Sequence, residues 1–289
     1  MSAPAFLASE LRAAERDAGT ARLRVIPVPL ERTVSYGAGT AGGPDAILEA
    51  SQELERLWRG TEPCRAGIHT EAPLDCTGPL PEVMERLAAR TAEAVGAGRI
   101  PCALGGEHGL TFGAVAGVAR ALGRPIGILQ IDAHADLREA YRGEPHSHAS
   151  VMQLLAAAGH RIAQYGVRAL SEEEVEARAR HGLIFRDAEE LVTGGVMEIR
   201  LPEDFPEDVY VTFDVDGLDP GIMPATGTPV PGGLGYYQAL AIVASGLAGR
   251  RCVGLDLVEL APGGAHEAAW SFTAAQTAYA LMGLALDGR

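Results

Sequence analysis

Basic residues are scarce relative to acidic ones. The 289-residue chain carries 24 Lys and Arg against 38 Asp and Glu, a formal net charge of −14. That deficit excludes a nucleic-acid partner, because phosphate binding needs a positive face, and it is compatible with a small cationic substrate. Cysteine is sparse as well. Cys64, Cys76, Cys102 and Cys252 are scattered with no C-x-x-C pair, so they read as small buried hydrophobes or free thiols of a reducing compartment. No stretch approaches twenty uncharged apolar residues, which excludes a membrane-spanning helix. The N-terminal MSAPAFLASELRAAERDAG lacks the basic start and apolar core of a signal peptide and reads as a short helical extension over residues 1–20. The cytoplasm is the expected location. No linker or shift in composition divides residues 1–289, so a single domain is expected.

What is present is a repeated alternation of apolar runs and amphipathic stretches. Strands are expected at Arg22–Pro29, Arg99–Leu104, Pro125–Ile131, Ile162–Val167, Leu183–Phe185, Asp208–Asp214 and Arg251–Leu257. Helices are expected from Pro44 through Ala50 toward Leu57, and over Leu80–Ala97, Ala114–Leu122, Val151–Ala158, Ser171–Arg180, Tyr236–Leu247 and Trp270–Leu286. Ser171 is a candidate cap. Strands alternating with helices predict an α/β fold, a mostly parallel central sheet covered by helices on both faces. A glycine-rich loop, Thr33 to Asp45, follows the first strand. No Gly-Lys-Ser/Thr follows it, so it is no phosphate cradle. Its composition fits a binding loop at the entrance of a site.

Four polar segments follow apolar strands: Gly105-Gly106-Glu107-His108, Asp132-Ala133-His134-Ala135-Asp136, Asp214-Val215-Asp216 and Asp256-Leu257-Val258-Glu259. In a parallel sheet, strand carboxyl ends are where ligands bind. If the chain stays extended, alternation turns Asp132, His134 and Asp136 to one side. Asp132, Asp136, Asp214 and Asp216 bring four negative charges to one cleft, which protons or cations must offset. Two divalent metals neutralise the set. Mixed carboxylate and imidazole ligands suit Mn²⁺, Fe²⁺, Co²⁺ or Zn²⁺ rather than Ca²⁺. Two ions about 3.5–4 Å apart lower the pKa of a bridging water and hold it for attack. The chemistry these residues point to is metal-assisted hydrolysis.

GGEH, DAHAD, SHAS, DVDGLDP followed by PATGTPVPGGL, and DLVE together resemble the ureohydrolase family of arginases and agmatinases. The resemblance runs from about Val25 to the final helix. It implies a three-layer α/β/α arginase-like fold and a centre of two manganese ions per subunit. It also implies hydrolysis of a guanidino group to urea and an amine, in a trimer or hexamer. It places His108 and Asp136 on one metal, His134 and Asp216 on the other, and Asp132 and Asp214 as bridges. His148, in Ser147-His148-Ala149-Ser150, matches a proton-shuttling histidine. His146 competes with it and otherwise serves as a loop residue or substrate contact. Glu259 matches the carboxylate that grips the guanidinium, a role its bidentate geometry suits. Asp219 and Pro220 are expected to end the Asp214–Asp216 turn, and Asp256 to support the site from behind.

Ile26 to Pro29, Thr33 to Thr40, Leu137-Arg138, SHASVM and Gly166-Val167-Arg168 with Ser171 to Glu173 are more similar to bacterial agmatinases than to arginases. The loop after DAHAD lacks the pattern by which arginases hold an α-amino acid. Agmatine, cleaved to putrescine and urea, is therefore the first expectation. Arginine, guanidinobutyrate and guanidinopropionate follow. His146 and Gln153 depart from the usual pattern near the expected mouth. Two other classes fit parts of the pattern: an amidohydrolase of acetylated amines, which would not need Glu259, and a silent binding protein, which would have lost a ligand or His148. None is missing.

Overall fold

The computed structural model describes residues 3–264 and 266–287. Among these residues eight segments form strands: Leu23–Val28 (β1), Ile68–Thr70 (β2), Ile100–Gly105 (β3), Gly127–Ile131 (β4), Arg161–Tyr165 (β5), Ile184–Arg186 (β6), Asp208–Asp214 (β7) and Arg251–Val258 (β8). β3, β4 and β7 are buried at every position, and β8 at all but its first. That is the pattern of parallel strands covered on both faces. All pairings are parallel, in the order β2-β1-β3-β8-β7-β4-β5-β6.

Among the described residues, eight helices cover the sheet: Gly43–Ala50 (α1), Leu80–Gly96 (α2), Thr111–Leu122 (α3), Val151–Ala157 (α4), Glu172–His181 (α5), Ala188–Thr193 (α6), Tyr236–Leu247 (α7) and Glu267–Asp287 (α8). Alternation along each strand feeds two separate cores. Leu23 and Val25 of β1, with Leu129 and Ile131 of β4, pack with α1, α7 and α8. Ile26, Val28 and Ile128 pack with α2, α3 and α4. The result is one three-layer α/β/α domain. α2 buries Leu80, Val83, Met84, Leu87, Ala88, Thr91 and Ala94, a stripe at helical spacing. It backs closely onto α3, where a Cβ on Gly117 would stand 2.1 Å from both Ala88 O and Thr91 Oγ1. Ser171 and Glu174 form the capping box of α5, as a cap at Ser171 requires.

Several boundaries differ from the sequence pattern. α1 ends at Ala50 and gives way to a 3-10 turn at Ser51–Glu53 instead of reaching Leu57. β2 is a three-residue edge strand and α6 is six residues long; neither is long enough to show a period. Among the described residues, the N-terminal segment is not a helix. It makes turns and one 3-10 turn at Ala13–Arg16. Leu7 has a φ of 56°, and the amides of Phe6 and Leu7 donate to Thr70 Oγ1 and Ser51 Oγ. Those backbone donors go to the body of the domain rather than to a helical ladder, and Phe6 and Leu7 are fully buried. Among the described residues, no helix is long and apolar enough to cross a membrane.

The four central strands, β3, β8, β7 and β4, are neighbours. Their carboxyl ends deliver the four polar segments to one place.

Candidate metal centre and cleft

His108 follows β3 directly. The glycines before it serve close approach: a Cβ on Gly106 would stand 2.0 Å from Leu30 O. Gly106 N donates to Val28 O, and Gly106 O accepts from Glu259 N at 2.8 Å. The ends of β1, β3 and β8 are thus laced together. Glu107, fully buried, accepts from the amides of Arg32 (2.7 Å) and Thr33 (2.6 Å).

β4 ends at Ile131, so Asp132 to Asp136 converge through a turn rather than as extended chain. Asp136 adopts a left-handed φ of 54°, as does Glu259 at 65°. Such backbone costs on the order of 1–3 kcal/mol at a non-glycine residue and clusters at functional sites. Two groups of ligand atoms result, each within 4.8 Å of one another: His108, Asp132 and Asp136, and Asp132, His134 and Asp216. Asp132 is common to both. Asp214 joins neither group; its Oδ2 lies 3.4 Å from His108 Nδ1, and its Oδ1 accepts from Asp216 N.

The electrostatics call for cations. His108 Nδ1 is buried with no hydrogen-bond partner, although carboxylate oxygens of Asp132 and Asp136 each lie 3.0 Å away. Burial and the Asp132 charge push the Asp136 carboxyl up to about 7. Burial and the charges of Asp216 and Asp132 push Asp214 well above the carboxylate range. Burial opposes charge on His134, but bonds to Asp132 and Asp216 outweigh it and raise its pKa to about 12. Without added positive charge, protons must hold this cluster together. An orphaned imidazole nitrogen among crowded carboxylates fits a pair of divalent ions.

The imidazole of His108 is also fixed from behind. Its Nε2 lies 2.8 Å from Thr212 Oγ1, which donates to Asp256 Oδ1 at 2.6 Å. Asp256 Oδ2 accepts from Thr111 and Tyr210. A proton on Nε2 directed at Thr212 leaves Nδ1 as the ligand atom. Asp256 therefore supports the site from behind, as expected.

The cluster opens into a cleft of about 480 Å³ lined by His108, His134, Asp136, Asp214, Asp216, His148 and Glu259. Asp132 is fully buried at its base. Glu259 Oε1 accepts from His108 N at 2.6 Å. Burial, opposed by that amide, pushes its pKa up to about 8. His148 is held by Thr33, whose Oγ1 lies 3.0 Å from Nδ1 and accepts from the His148 amide at 3.1 Å. Burial first, then neighbouring imidazoles, lowers its pKa to about 4.

His146 is not brought to the cleft. Its ring packs edge-on against Phe112, and its amide donates to Glu144; the turn before His148 faces it outward. Gln153 Oε1 accepts from His181 Nε2 on α5, and Gln153 does not line the cleft. Only the first part of the glycine-rich loop reaches the lining, through Val34, Ser35 and Gly37. The amides of Gly39 and Ala41 instead donate to Glu31. Asp219 ends its turn by accepting from Gly221, Gly232 and Gly233. Thr212 and the cleft residues Tyr141 and Glu174 carry no motif signal, and Thr33, Glu107 and Arg138 lie in motif stretches that gave their side chains no role. Arg168 donates to the carbonyls of Asp216, Leu218 and Val230 and so fastens the loops beside the cluster.

The chain has relatives of known sequence and structure along most of its length. The chain is similar to N(1)-aminopropylagmatine ureohydrolase of Synechocystis sp., 36% identical over 287 residues, covering 96% of this chain and 92% of that protein. It is similar to agmatinase of Bacillus anthracis, 33% identical over 242 residues, covering 81% and 82%. The solved structure of proclavaminate amidino hydrolase from Streptomyces clavuligerus superposes with a TM-score of 0.84 at 26% identity, covering 100% of this chain and 99% of that one. The sequence model described as the arginase family matches residues 21–283, and the chain belongs to the arginase family of C–N hydrolases.

Proposed function

We propose that the protein hydrolyses a guanidino group carried on an alkylamine, releasing urea and the amine, with two manganese ions as cofactor. The observation that carries this reading is Asp132, shared by two ligand groups at the base of a cleft that Glu259 walls. His108, Asp132 and Asp136 would hold one ion, and Asp132, His134 and Asp216 the other, with Asp214 a second bridge. The metal pair supplies an activated water at neutral pH and offsets the carboxylates.

Glu259 orients the substrate. Its Oε1 is already fixed by the His108 amide, so the carboxylate presents a set face to a planar guanidinium. A cation there also offsets the burial that disfavours its charge. His148 moves the proton. Thr33 Oγ1 can accept from both the His148 amide and Nδ1–H, which leaves Nε2 as a proton acceptor. Burial keeps the ring neutral at pH 7, which leaves Nε2 open to accept a proton and then deliver it to the departing amine.

Agmatine is the simplest such substrate, giving putrescine and urea. The cleft, about 480 Å³, falls within the roughly 300–1,000 Å³ range that buries drug-sized ligands. That room, together with the name of the Synechocystis relative, favours an aminopropylated agmatine as the better-filling substrate. One observation favours a second reading. Arg138 lines the cleft with its side chain 40% exposed, 4.0 Å from Glu174, where it could receive the carboxylate of a guanidino acid. A homo-oligomer, trimer or hexamer, and a cytoplasmic setting complete the proposal.

The test is urea release with added Mn²⁺ from agmatine, N(1)-aminopropylagmatine, arginine, guanidinobutyrate and guanidinopropionate. Urea from the two amines is expected, with the higher kcat/KM for the longer one. No urea from any compound despite two bound metals would overturn the hydrolase reading. Turnover of the guanidino acids alone, abolished by Arg138→Ala, would establish the second reading instead.

A further inference from the structure

A line of polar side chains runs from the surface to the base of the cluster without lining the cleft. Asp187, just before α6, pairs with Arg178 of α5, 3.0 Å from Oδ1 to Nη1. Arg178 Nε donates to Gln164 Oε1 at 3.0 Å. Gln164 Nε2 donates to Gln130 Oε1 at 2.6 Å, and Gln130 Nε2 donates to Asp132 Oδ2 at 2.8 Å. Gln130 and Gln164 stand opposite each other on β4 and β5. Both are fully buried, and Arg178 is 4% exposed. Buried amides are costly in a sheet interior unless fully bonded.

The line has a direction. Every donor points toward Asp132, and the guanidinium fixes the sense of both amides. Gln164 cannot reverse, because its Nε2 also donates to Ala135 O at 2.7 Å. The other Asp132 oxygen, Oδ1, accepts from His134 N at 2.6 Å. Each carboxylate oxygen thus has one lone pair engaged by the protein and one left over. Two free lone pairs on opposite oxygens are what a carboxylate shared between two cations requires.

We propose that Arg178, Gln164 and Gln130 are positioning residues for Asp132, setting the hydrogen-bond polarity that leaves it one free lone pair for each metal. The inference rests on the metal reading of the site. Gln164→Glu tests it with little change of shape. The glutamate gains an ion pair with Arg178 but can no longer donate, so Gln130 turns its amide and presents an oxygen to Asp132. Arg178→Met removes the source of polarity while keeping apolar contact with Phe185, now 4.3 Å from the guanidinium carbon to the ring centre.

Mn²⁺ affinity is measured by chelator competition and stoichiometry by elemental analysis, alongside melting of the metal-free protein. Wild type is expected to bind two Mn²⁺. Gln164→Glu is expected to bind about 10- to 100-fold more weakly while still folding without metal, its melting lowered modestly by the lost bond to Ala135 O, and Arg178→Met to weaken binding in the same direction. Wild-type affinity in Gln164→Glu would overturn the inference, whether or not Arg178→Met folds. So would a loss of metal-free stability large enough to account for the weaker binding. Failure of wild type to bind a metal pair would instead overturn the metal reading.

Discussion

The two aspartates expected to bridge the metals differ in their surroundings. Asp132 belongs to both ligand groups and is held by Gln130 and the His134 amide. Asp214 belongs to neither and uses one oxygen to fasten the Asp216 amide. Asp132→Asn should therefore lose both metals and all activity. Asp214→Asn leaves both ligand groups in place but removes a neighbouring carboxylate charge, so it should bind metal more weakly than wild type and more tightly than Asp132→Asn. Elemental analysis of the purified variants distinguishes them, and equal retention in both would refute the bridging role of Asp132. The cluster was legible in the sequence because several Asp and His together follow apolar strands whose carboxyl ends a parallel sheet brings to one place. Their supports were not. Gln130, Gln164 and Thr212 read as ordinary strand residues, since a neutral amide or hydroxyl reveals its partner only once neighbouring strands are in register. His146 and His148 share a residue type two positions apart, and only the turn between them separates inward from outward.

At the scale of elements, the long periodic segments were legible and the short ones were not. α7 and β7 fall where their patterns placed them, whereas β2 and α6 are too short to show a period. The N-terminal segment has helix-forming composition, yet its backbone donors are taken by Ser51 and Thr70. Tertiary partners overrode propensity there. The α2–α3 contact carries a prediction of its own. Alanine at Gly117 gains about 1 kcal/mol of intrinsic helix preference, but its Cβ would meet Ala88 O and Thr91 Oγ1 at 2.1 Å. The backbone carbonyl cannot swing away, so the clash wins. Gly117→Ala should destabilise by about 1–3 kcal/mol, read as a lower denaturant midpoint with an unchanged m-value. A rise in midpoint would show that α3 can slide off α2.

For the whole molecule, the N-terminal segment is fastened by one buried ion pair whose effect depends on pH. Glu15 accepts from Arg56 at both oxygens, 2.7 and 2.8 Å, and from the Arg12 amide. The bond to Arg56 outweighs burial and lowers the Glu15 pKa from 4.5 to about 2. A depressed folded-state pKa stabilises above the unfolded value and is lost as pH falls through the folded one. The contribution is complete above about pH 4.5 and disappears toward pH 2. Glu15→Gln should melt lower than wild type at pH 7, and the gap should close on acidification across that window; a constant gap would rule the pair out. The sheet order has a further consequence, in the time domain. β8 is the last strand in the chain but sits in the middle of the sheet, between β3 and β7. Until residues 251–258 emerge, the strand that leads to His108 and the strands that lead to Asp132 and Asp216 share no hydrogen-bonded neighbour. Before then the strands can pair only as two half-sheets: one leads to His108, the other carries the whole Asp132, His134 and Asp216 group, so the group that needs His108 can be gathered only after nearly the whole sequence has been made.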